Sequence, residues 1–396
     1  MVRRWSPLAG ARRLAPARVT LLVLLGSGGV ARADTPITTT DYAIEFYDGV
    51  AIGNTQQVGM GGAGAALIVG TSGGLINPSA PAVRQTTDTD RWSWDYHFDF
   101  LSGKYSSDYD NNGTVASGGA SLVTIGLGGR YHDWAAAVTF TGQTAPIEGA
   151  TRPLDAEALR VRFMFGKYLP SRDIALGVGA QTASFEITPT GADKLFQVTG
   201  AGLIAGATWL PKYRNFRIAA AWESQIIGAD VKSSCDPMNC EGFILPERIA
   251  SPWRVITGAA YRLAPTDWNQ LVGGIFRDEP SLTFAADVVV AGPTKDAYGI
   301  EAFGMQQLQR AGRHTVVSLR AGLEYEWLPG RLRWRAGSYW EPERYDGVGG
   351  RVHATFGVEL RVFEFQFWGR RRGRLSFTGD IAQRYRNIAL SVGFWH

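Results

Sequence analysis

The stretch TVVSLRAGLEYEW, residues 315–327, alternates apolar and polar side chains from Val317 to its end. A second stretch, RVHATFGVELRV at residues 351–362, follows the same pattern. A period of two predicts β-strands, and here one face carries Val, Leu, Phe and Trp while the other carries Arg, Glu and His. Such faces suit a wall with lipid outside and water inside, and the strands exceed the roughly five or six residues usual in soluble sheets. The sequence therefore predicts an all-β fold, a transmembrane antiparallel β-barrel.

The barrel is assigned to residues 91–396, which carry about fourteen strands of this kind. Short turns alternate with longer connections, as they do in outer-membrane barrels. The predicted long connections are 102–118, 142–156, 231–251 and 292–313. Residues 264–280 break the alternation, because a short turn is expected there. They form either an unusually long turn or a further hairpin, which leaves the strand count open by two.

The first 33 residues have the features of a secretory signal peptide. Five arginines precede the apolar run Val19–Leu25, and Ala31-Arg32-Ala33 supplies a small-residue cleavage site. An N-terminal anchor is the alternative, but the apolar run is too short to span a bilayer. Removal of residues 1–33 takes away six arginines and no acid, so the formal charge falls from +4 to −2. The basicity of the chain is thus no argument for nucleic-acid binding.

Residues 34–90 differ from the strands that follow. Their alternation is weak, and Gly59-Met60-Gly61-Gly62-Ala63-Gly64 is followed by Asn77-Pro78-Ser79. Small residues at this density allow backbone to pack against backbone. We therefore expect residues 34–90 to fold inside the barrel as a plug, or hatch.

These two motifs resemble the N-terminal segment of the FadL/TodX family and of its PorV-like relatives, where a glycine-rich stretch precedes Asn-Pro-Ala. Residues 245–262 are similar to the eighth strand of that family, and 319–322 or 332–337 to its late strands. The resemblance implies a 14-stranded barrel with an N-terminal hatch in its lumen. It also implies passage of long-chain fatty acids or other hydrophobic small molecules, with lateral release through the wall. The hatch and gating residues would be Gly59, Gly61, Gly62, Asn77, Pro78 and Ser79, of which Ser79 departs from the usual Ala and leaves open whether the gate works alike.

A set of charged residues falls on the inward face of the late strands. They are Arg320, Glu324, Arg333, Arg335, His353, Glu359 and Arg361. They could bind the head group of a carboxylate ligand, since Arg recognises carboxylates with two parallel hydrogen bonds. They could instead pair with one another and stiffen the lumen. No nucleophile accompanies His353, so we expect no enzymatic activity.

The remaining motifs predict no cofactor and no metal. Gly59-x-Gly61-x-x-Gly64 lacks the strand–helix context of a dinucleotide site. Asp108-x-Asp110-x-Asn112-Gly113 resembles the start of a calcium loop but has no Glu at the twelfth position, which favours a simple turn. Cys235 and Cys240 are predicted to form a disulfide, because an exported chain enters an oxidising compartment.

The leading hypothesis is a hatch-gated channel for hydrophobic small molecules in the outer membrane of a Gram-negative bacterium. A PorV-like docking partner for secretion, a general porin and a barrel lipase or protease are the alternatives. The expected partners are membrane lipid, lipopolysaccharide, a hydrophobic small-molecule ligand and the barrel-assembly machinery, and we expect a monomer.

Overall fold

The computed structural model describes residues 35–46, 54–85, 88–103, 107–115, 119–272, 276–366 and 370–394; the predicted signal peptide lies outside these residues. Fourteen strands of the described chain form the wall. They are β1 Trp92–Gly103, β2 Ala120–Tyr131, β3 Trp134–Ile147, β4 Leu154–Leu169, β5 Ile174–Pro189, β6 Phe196–Trp209, β7 Phe216–Glu223 with Ile226–Gly228, β8 Arg248–Ser251 with Arg254–Leu263, β9 Ser281–Ala291, β10 Val316–Leu328, β11 Leu332–Glu341, β12 Arg351–Gln366, β13 Arg370–Ala382 and β14 Tyr385–Phe394.

Each wall strand pairs antiparallel with the next one along the chain. The last strand, β14, pairs with β1 from Ile388↔Ser102 to Gly393↔His97 and closes the barrel. The predicted barrel of about fourteen strands is confirmed.

One connection differs from its prediction, and a second agrees with one of the two forms predicted for it. Residues 142–156 do not form a long loop, because β3 and β4 continue to pair up to Ile147↔Leu154. Polar, small and proline residues hide the alternation there, while the backbone ladder extends the two strands. Residues 264–272 and 276–280 contain no strand, so the possible further hairpin is absent from the described part of this connection.

The outer face of the wall is apolar, as the alternation predicts. In β10, Leu319 and Trp327 are 57% and 55% exposed, whereas Ser318, Glu324 and Glu326 point inward and are buried. A cationic side chain on the outer face would cost roughly 2–4 kcal/mol at the bilayer centre, so this orientation is strongly fixed. Among the described residues, no helix is both long and apolar enough to cross a membrane.

The two ends of the barrel differ in their connections. At the turn end, the connections 132–133, 170–173 and 329–331 are short; at the loop end, 229–247 and 292–315 are long. Exposed aromatic side chains surround the wall near the turn end. They are Trp92, Tyr131, Trp134, Trp209, Tyr261, Trp327 and Trp334. Such a belt is typical of a membrane–water interface.

The chain before β1 passes through the barrel. Residues 35–46, the entry segment, lie at the loop end, where Ala43–Glu45 pairs in parallel with Arg248–Ala250. Residues 54–85, the lumen segment, are mostly buried and contain two short helices, α1 Thr55–Gly59 and α2 Gly70–Gly73. Hydrogen bonds from the lumen segment reach inward-facing side chains on β1, β6, β9 and β12. Contacts with strands around the whole circumference place the lumen segment inside the barrel.

Glycines let the lumen segment approach the wall backbone closely. Gly61 has a left-handed backbone (φ +61°), and a Cβ at this position would lie 2.4 Å from the backbone nitrogen of Ser338. On the wall side, a Cβ at Gly337 would lie 2.2 Å from the nitrogen of Gly61, and one at Gly322 would lie 2.3 Å from the carbonyl oxygen of Met60. The glycine-rich motif is therefore required for this backbone-to-backbone contact.

Gly337→Ala is expected to push the lumen segment away from β11, because the added Cβ overlaps the backbone of Gly61. Overpacking of this kind typically costs about 1–3 kcal/mol. Current recordings in planar lipid bilayers should show more frequent ion-conducting openings than in the wild type. Gly142→Ala is the matched control, since a Cβ there meets no atom within 4 Å. Equal conductance of the two variants would contradict the role given to this contact.

Candidate functional site

The Asn77-Pro78-Ser79 motif attaches the lumen segment to β5 and β6. The Asn77 amide donates to Thr208 Oγ1 at 3.0 Å, and its Oδ1 accepts from the Ser79 nitrogen at 3.0 Å. Ser79 Oγ lies 2.8 Å from Thr208 Oγ1. A Cβ at Gly177 would lie 2.1 Å from the carbonyl oxygen of Pro78, so the wall backbone is again in contact. The hydroxyl of Ser79 thus adds a bond to the wall that an alanine could not make.

Three wall aspartates accept hydrogen bonds from the backbone of the lumen segment. Asp287 Oδ2 accepts from the nitrogens of Gly64 and Ala65 at 2.7 and 2.9 Å.

The other two aspartates bind the starts of the short helices. Asp99 Oδ1 accepts from the backbone nitrogen of Thr55, the first residue of α1, at 3.0 Å. Asp95 Oδ2 accepts from the backbone nitrogen of Thr71, the second residue of α2, at 2.7 Å. The sequence analysis missed these aspartates, although all three alternate with apolar residues in strands and so point inward.

Four of the predicted inward charges form one ion-pair network. Arg335 pairs with Glu324 at 2.7 Å and with Glu359 at 2.9 Å. Arg333 pairs with Glu359 at 3.5 Å and with Glu326 at 3.0 Å. The network also lies directly against the lumen segment. Gly59 is so close to the Arg335 side chain that a Cβ at Gly59 would lie 3.2 Å from it. These contacts favour the ion-pairing interpretation, and the head-group role of these residues stays a prediction.

The other three predicted residues lie apart from this network. His353 is fully buried between Asp380 (Nδ1 to Oδ1, 2.9 Å) and Glu341 (Nε2 to Oε2, 3.0 Å). Arg320 donates to the carbonyl oxygen of Gly62 at 3.4 Å, so it holds the lumen segment. Arg361 is only partly buried and adjoins a register shift between β12 and β13. The structure therefore gives these residues separate contacts.

The inner surface becomes apolar toward the loop end. The inward-facing side chains of β4 to β7 in this region are Leu154, Phe185, Ile187, Phe196, Val198 and Ile226. The entry segment packs on them through Phe46, whose ring centroid lies 5.8 Å from that of Phe185, while Phe303 of the connection 292–315 lies 5.7 Å from Phe196. Alternation alone could not show this change, since both halves of each strand have the same period.

An outer cavity with a free volume of about 20 Å³ adjoins this apolar cluster. Its apolar lining includes Ile147, Ala156, Phe185 and Ile300. Its polar lining includes Tyr109, Asp110, Gln143 and Glu301. The chemistry of this lining therefore matches a small molecule with an apolar body and one polar end.

Two loop carboxyl groups form the acidic end of the outer cavity. Glu301 accepts from the Asn112 amide at 2.6 Å, and Asp110 accepts from the Tyr345 hydroxyl at 2.7 Å.

Both carboxyl groups have raised pKa values. Burial, together with the charges of Asp108 and Glu148, raises the pKa of Glu301 to about 7. Burial and the charge of Glu301 raise the pKa of Asp110 as well. Near neutral pH this end is consequently only partly ionised.

The residues of the calcium-like motif and the two cysteines have structural contacts. Asp108 accepts from the nitrogens of Asn112 and Gly113 at 3.0 and 3.1 Å and pairs with Arg384 at 3.4 Å, as expected for a turn. The described residues include no group of three or more side chains suited to hold a metal ion. Cys235 and Cys240 are joined in the connection 229–247.

The wall is interrupted between β7 and β8. Their ladder includes Glu223↔Arg254, skips Ser224–Gln225 and Pro252–Trp253, and resumes at Ile226↔Ser251. Pro252 has no backbone N–H to donate. A second cavity, the wall cavity, has a free volume of about 150 Å³ and reaches Pro252 and Arg254 from the lumen. The wall and outer cavities share Asp110 in their linings.

The neighbouring part of the wall contrasts with this interruption. The β4–β5 ladder is continuous from Leu154↔Pro189 to Leu169↔Ile174, and the β3–β4 ladder from Trp134↔Lys167 to Ile147↔Leu154. The interruption is therefore a local property of β7 and β8, not of the sheet as a whole.

Comparison with known proteins identifies the fold. No protein-family model matches the chain. No curated protein matches it either. Among solved structures, a FadL homologue from Pseudomonas aeruginosa is 14% identical, with 86% of this chain and 98% of that chain covered and a TM-score of 0.54. A deltaS2 mutant of TodX, described as a monoaromatic hydrocarbon channel, is 13% identical, with 87% and 99% covered and a TM-score of 0.51.

These identities show a shared fold and nothing more specific. The FadL/TodX-like fold inferred from the glycine-rich motif and Asn77-Pro78-Ser79 is thus confirmed.

The free energy of unfolding should depend on pH through Glu301. Its pKa is raised from 4.5 to about 7 in the folded state, so the folded state holds an extra proton between these values. Stability should therefore fall as the pH rises from about 4.5 to about 7 and then level off. Glu301→Gln, which keeps an acceptor for Asn112, should remove this contribution. Urea unfolding in lipid vesicles across this range measures it, and parallel curves for the two proteins would contradict the assignment.

Proposed function

We propose that this protein is an outer-membrane channel for hydrophobic small molecules, which enter at the loop end and leave sideways through the wall. The observation that carries the proposal is an apolar inner surface with an adjoining cavity at the loop end of a membrane-type barrel, while the lumen segment occupies the barrel axis. The FadL/TodX-like fold supports it, because TodX is described as a monoaromatic hydrocarbon channel. In this orientation the loop end faces outward and the turn end faces the periplasm.

The packing of the lumen segment argues against an open aqueous pore. Hydrogen bonds fix it to β1, β6, β9 and β12 through Asp99, Thr208, Asp287 and Thr355. Each is worth roughly 0.5–1.5 kcal/mol net, and several must break together before the segment can move. Straight passage along the barrel axis is therefore disfavoured, and the general porin is the weaker candidate.

The outer cavity favours a neutral ligand over a fatty-acid anion. Its free volume of about 20 Å³ holds about one water molecule, so its side chains have to move apart to admit a ligand. Its polar end holds Asp110 and Glu301, which would repel a carboxylate once they ionise. A hydrocarbon, or a ligand with a hydroxyl that donates a hydrogen bond, meets no such penalty. The ligand class that we propose is thus a neutral apolar compound, such as a monoaromatic hydrocarbon of the kind named in the description of TodX.

The two cavities and the interrupted ladder define a route. A ligand in the outer cavity passes Asp110 to reach the wall cavity, which extends to Pro252. There the β7–β8 ladder lacks pairing at Ser224–Gln225 and Pro252–Trp253. Fewer hydrogen bonds have to break at this point, so we place the lateral exit here. Release into the bilayer spares an apolar solute the aqueous periplasm.

The proposal contains no chemical step. The Thr71 hydroxyl lies 2.9 Å from His97 Nδ1, which superficially resembles a nucleophile and its base. However, this hydroxyl donates to Asp95 Oδ2 at 3.0 Å, and His97 is 1% exposed. The pair therefore attaches α2 to β1, and no substrate can reach it in this arrangement.

Ala156→Phe is expected to weaken toluene binding at least tenfold, because the larger side chain fills the outer cavity that Ala156 lines. Wild-type protein in phosphatidylcholine nanodiscs should bind toluene in preference to benzoate at pH 8, where Glu301 is ionised. Equilibrium binding of the two radiolabelled compounds measures both effects.

The matched control is Ala136→Phe, the same change at an outward-facing position of the neighbouring strand β3. It should bind toluene like the wild type. Toluene binding that survives Ala156→Phe unchanged would place the ligand site elsewhere, and tighter binding of benzoate would reject the neutral ligand class.

A disulfide between Ile226→Cys and Ser251→Cys should reduce toluene uptake by cells while leaving toluene binding unchanged. These residues are paired and inward-facing just beside the interruption, so the bond would tether β7 to β8. A reducing agent should restore uptake.

The control pair is Ala137→Cys with Met164→Cys, which are partners in the uninterrupted β3–β4 ladder and are both buried. Both engineered proteins retain the native disulfide, so any effect of reducing that disulfide appears in the control as well. If both tethers, or neither, lower uptake, then the lateral exit does not lie between β7 and β8.

A further inference from the structure

Residues 264–272 and 276–280, the described parts of the connection between β8 and β9, form a cap across the turn end of the barrel. Trp268 is 7% exposed and packs among buried residues of the lumen segment and the wall. Its backbone nitrogen donates to Asn215 Oδ1 at 2.7 Å, and the Asn269 amide donates to the carbonyl oxygen of Phe216 at 3.0 Å. At the other end of the cap, Asp278 Oδ2 accepts from Arg372 of β13 at 3.0 Å. The cap is therefore fixed to the wall on two sides.

A cavity with a free volume of about 120 Å³, the turn-end cavity, lies between the cap and the lumen segment. Its lining is strongly basic. The arginines that line it are Arg84, Arg217, Arg262, Arg277, Arg333 and Arg372, against the two carboxylates Glu324 and Glu326. The outer cavity at the loop end has the opposite character, since its charged lining residues are Asp110 and Glu301.

Four of these arginines have a carboxylate partner. The pairs are Arg84–Asp133 at 3.4 Å, Arg262–Glu279 at 3.0 Å, Arg333–Glu326 at 3.0 Å and Arg372–Asp278 at 3.0 Å. Arg277 instead donates to the backbone carbonyls of Asp267 and Gln270, and its Nε is buried without a hydrogen bond. Arg217 likewise has no carboxylate within 4 Å among the described residues.

Arg217 is the centre of the excess charge. It is 5% exposed, its Nε donates to Asn269 Oδ1 at 2.8 Å, and its guanidinium stacks on Trp268 at 4.0 Å from the ring centroid. The described residues provide no hydrogen-bond acceptor for its two terminal nitrogens. Arg262 and Arg277 line the same cavity and add their positive charge to that of Arg217.

A buried cation without a counter-charge is costly, and an oxyanion that enters the cavity would remove this cost. The planar guanidinium offers parallel N–H donors that match a carboxylate or phosphate group. Apolar side chains line the same cavity, among them Leu67, Val69, Trp268 and Phe276. They would accept a short hydrocarbon chain next to the anionic group.

We propose that the turn-end cavity is an anion-binding site, centred on Arg217 with Arg262 and Arg277, for the carboxylate or phosphate group of an amphiphile. This site is separate from the outer cavity and does not depend on the function proposed for it. It selects anions, whereas the outer cavity selects neutral compounds.

The test is calorimetric titration of the mature full-length protein in phosphatidylcholine nanodiscs with inorganic phosphate, hexyl phosphate and 1-hexanol. Hexyl phosphate should bind saturably, and Arg217→Gln should weaken this binding at least tenfold. Arg217→Lys, which keeps the charge but loses the planar fork, should lie between the two. Any binding of 1-hexanol should be unaffected by the Arg217 variants. Arg313→Gln, at the loop end, is the matched control and should bind hexyl phosphate like the wild type.

The two phosphate probes distinguish the sources of the anion. Equal affinities would assign the site to free phosphate, and binding of hexyl phosphate alone would assign it to an amphiphile. Absence of binding for both probes, or binding by Arg217→Gln at wild-type affinity, would overturn the proposal. If Arg217→Gln does not show the gel mobility of a folded barrel, Arg277→Gln in the cap replaces it and should show the same loss.

Discussion

The structure depends on one constraint: the backbone of the lumen segment has to find hydrogen-bond partners inside a wall whose own backbone is already paired. In a closed barrel every strand uses its N–H and C=O groups in the ladders on both sides. Inward side chains therefore have to supply the acceptors, and Asp95, Asp99 and Asp287 do so. Glycines on both surfaces bring the two backbones close enough for these bonds. The motif around Gly61 and the wall positions Gly322 and Gly337 are thus two halves of one contact.

The same constraint divides the lumen into layers of different chemistry. In the middle, carboxylates and guanidinium groups balance each other, as in the pairs of Arg335 with Glu324 and Glu359, and they hold the segment in place. Toward the loop end the inner surface is apolar and ends in acids; toward the turn end it is rich in arginine. A barrel that only conducted water would need none of these differences. In the functions that we propose, these differences separate a site for neutral ligands from a site for anions along one axis.

Alternation was sufficient to predict the wall but not the interior. The inward orientation of Arg320, Glu324 and Glu359 followed from the period of two, because a charge facing lipid is too costly. Which of these charges would pair could not follow, since Arg335 and Glu359 lie on different strands and meet only after the register is set. Asp287 and Asp99 were missed for the same reason: their partners lie more than forty residues away in the chain. The cap was visible only as an unexpected length, because its contacts through Trp268 and Asp278 involve strands far from it in sequence.

The position of the wall interruption follows from local chemistry. Pro252 removes one donor from β8, and on β7 the Ser224 hydroxyl accepts from the nitrogen of Leu203 at 2.8 Å. The unpaired residues Ser224–Gln225 and Pro252–Trp253 therefore face each other. The paired residues on either side of them, Glu223 with Arg254 and Ile226 with Ser251, keep the two strands together. Each intact backbone bond adds roughly 0.5–1.5 kcal/mol to the cost of parting two strands. Opening the wall at this point costs less than opening the continuous β3–β4 or β4–β5 ladder by the same width, and the wall cavity already extends to it.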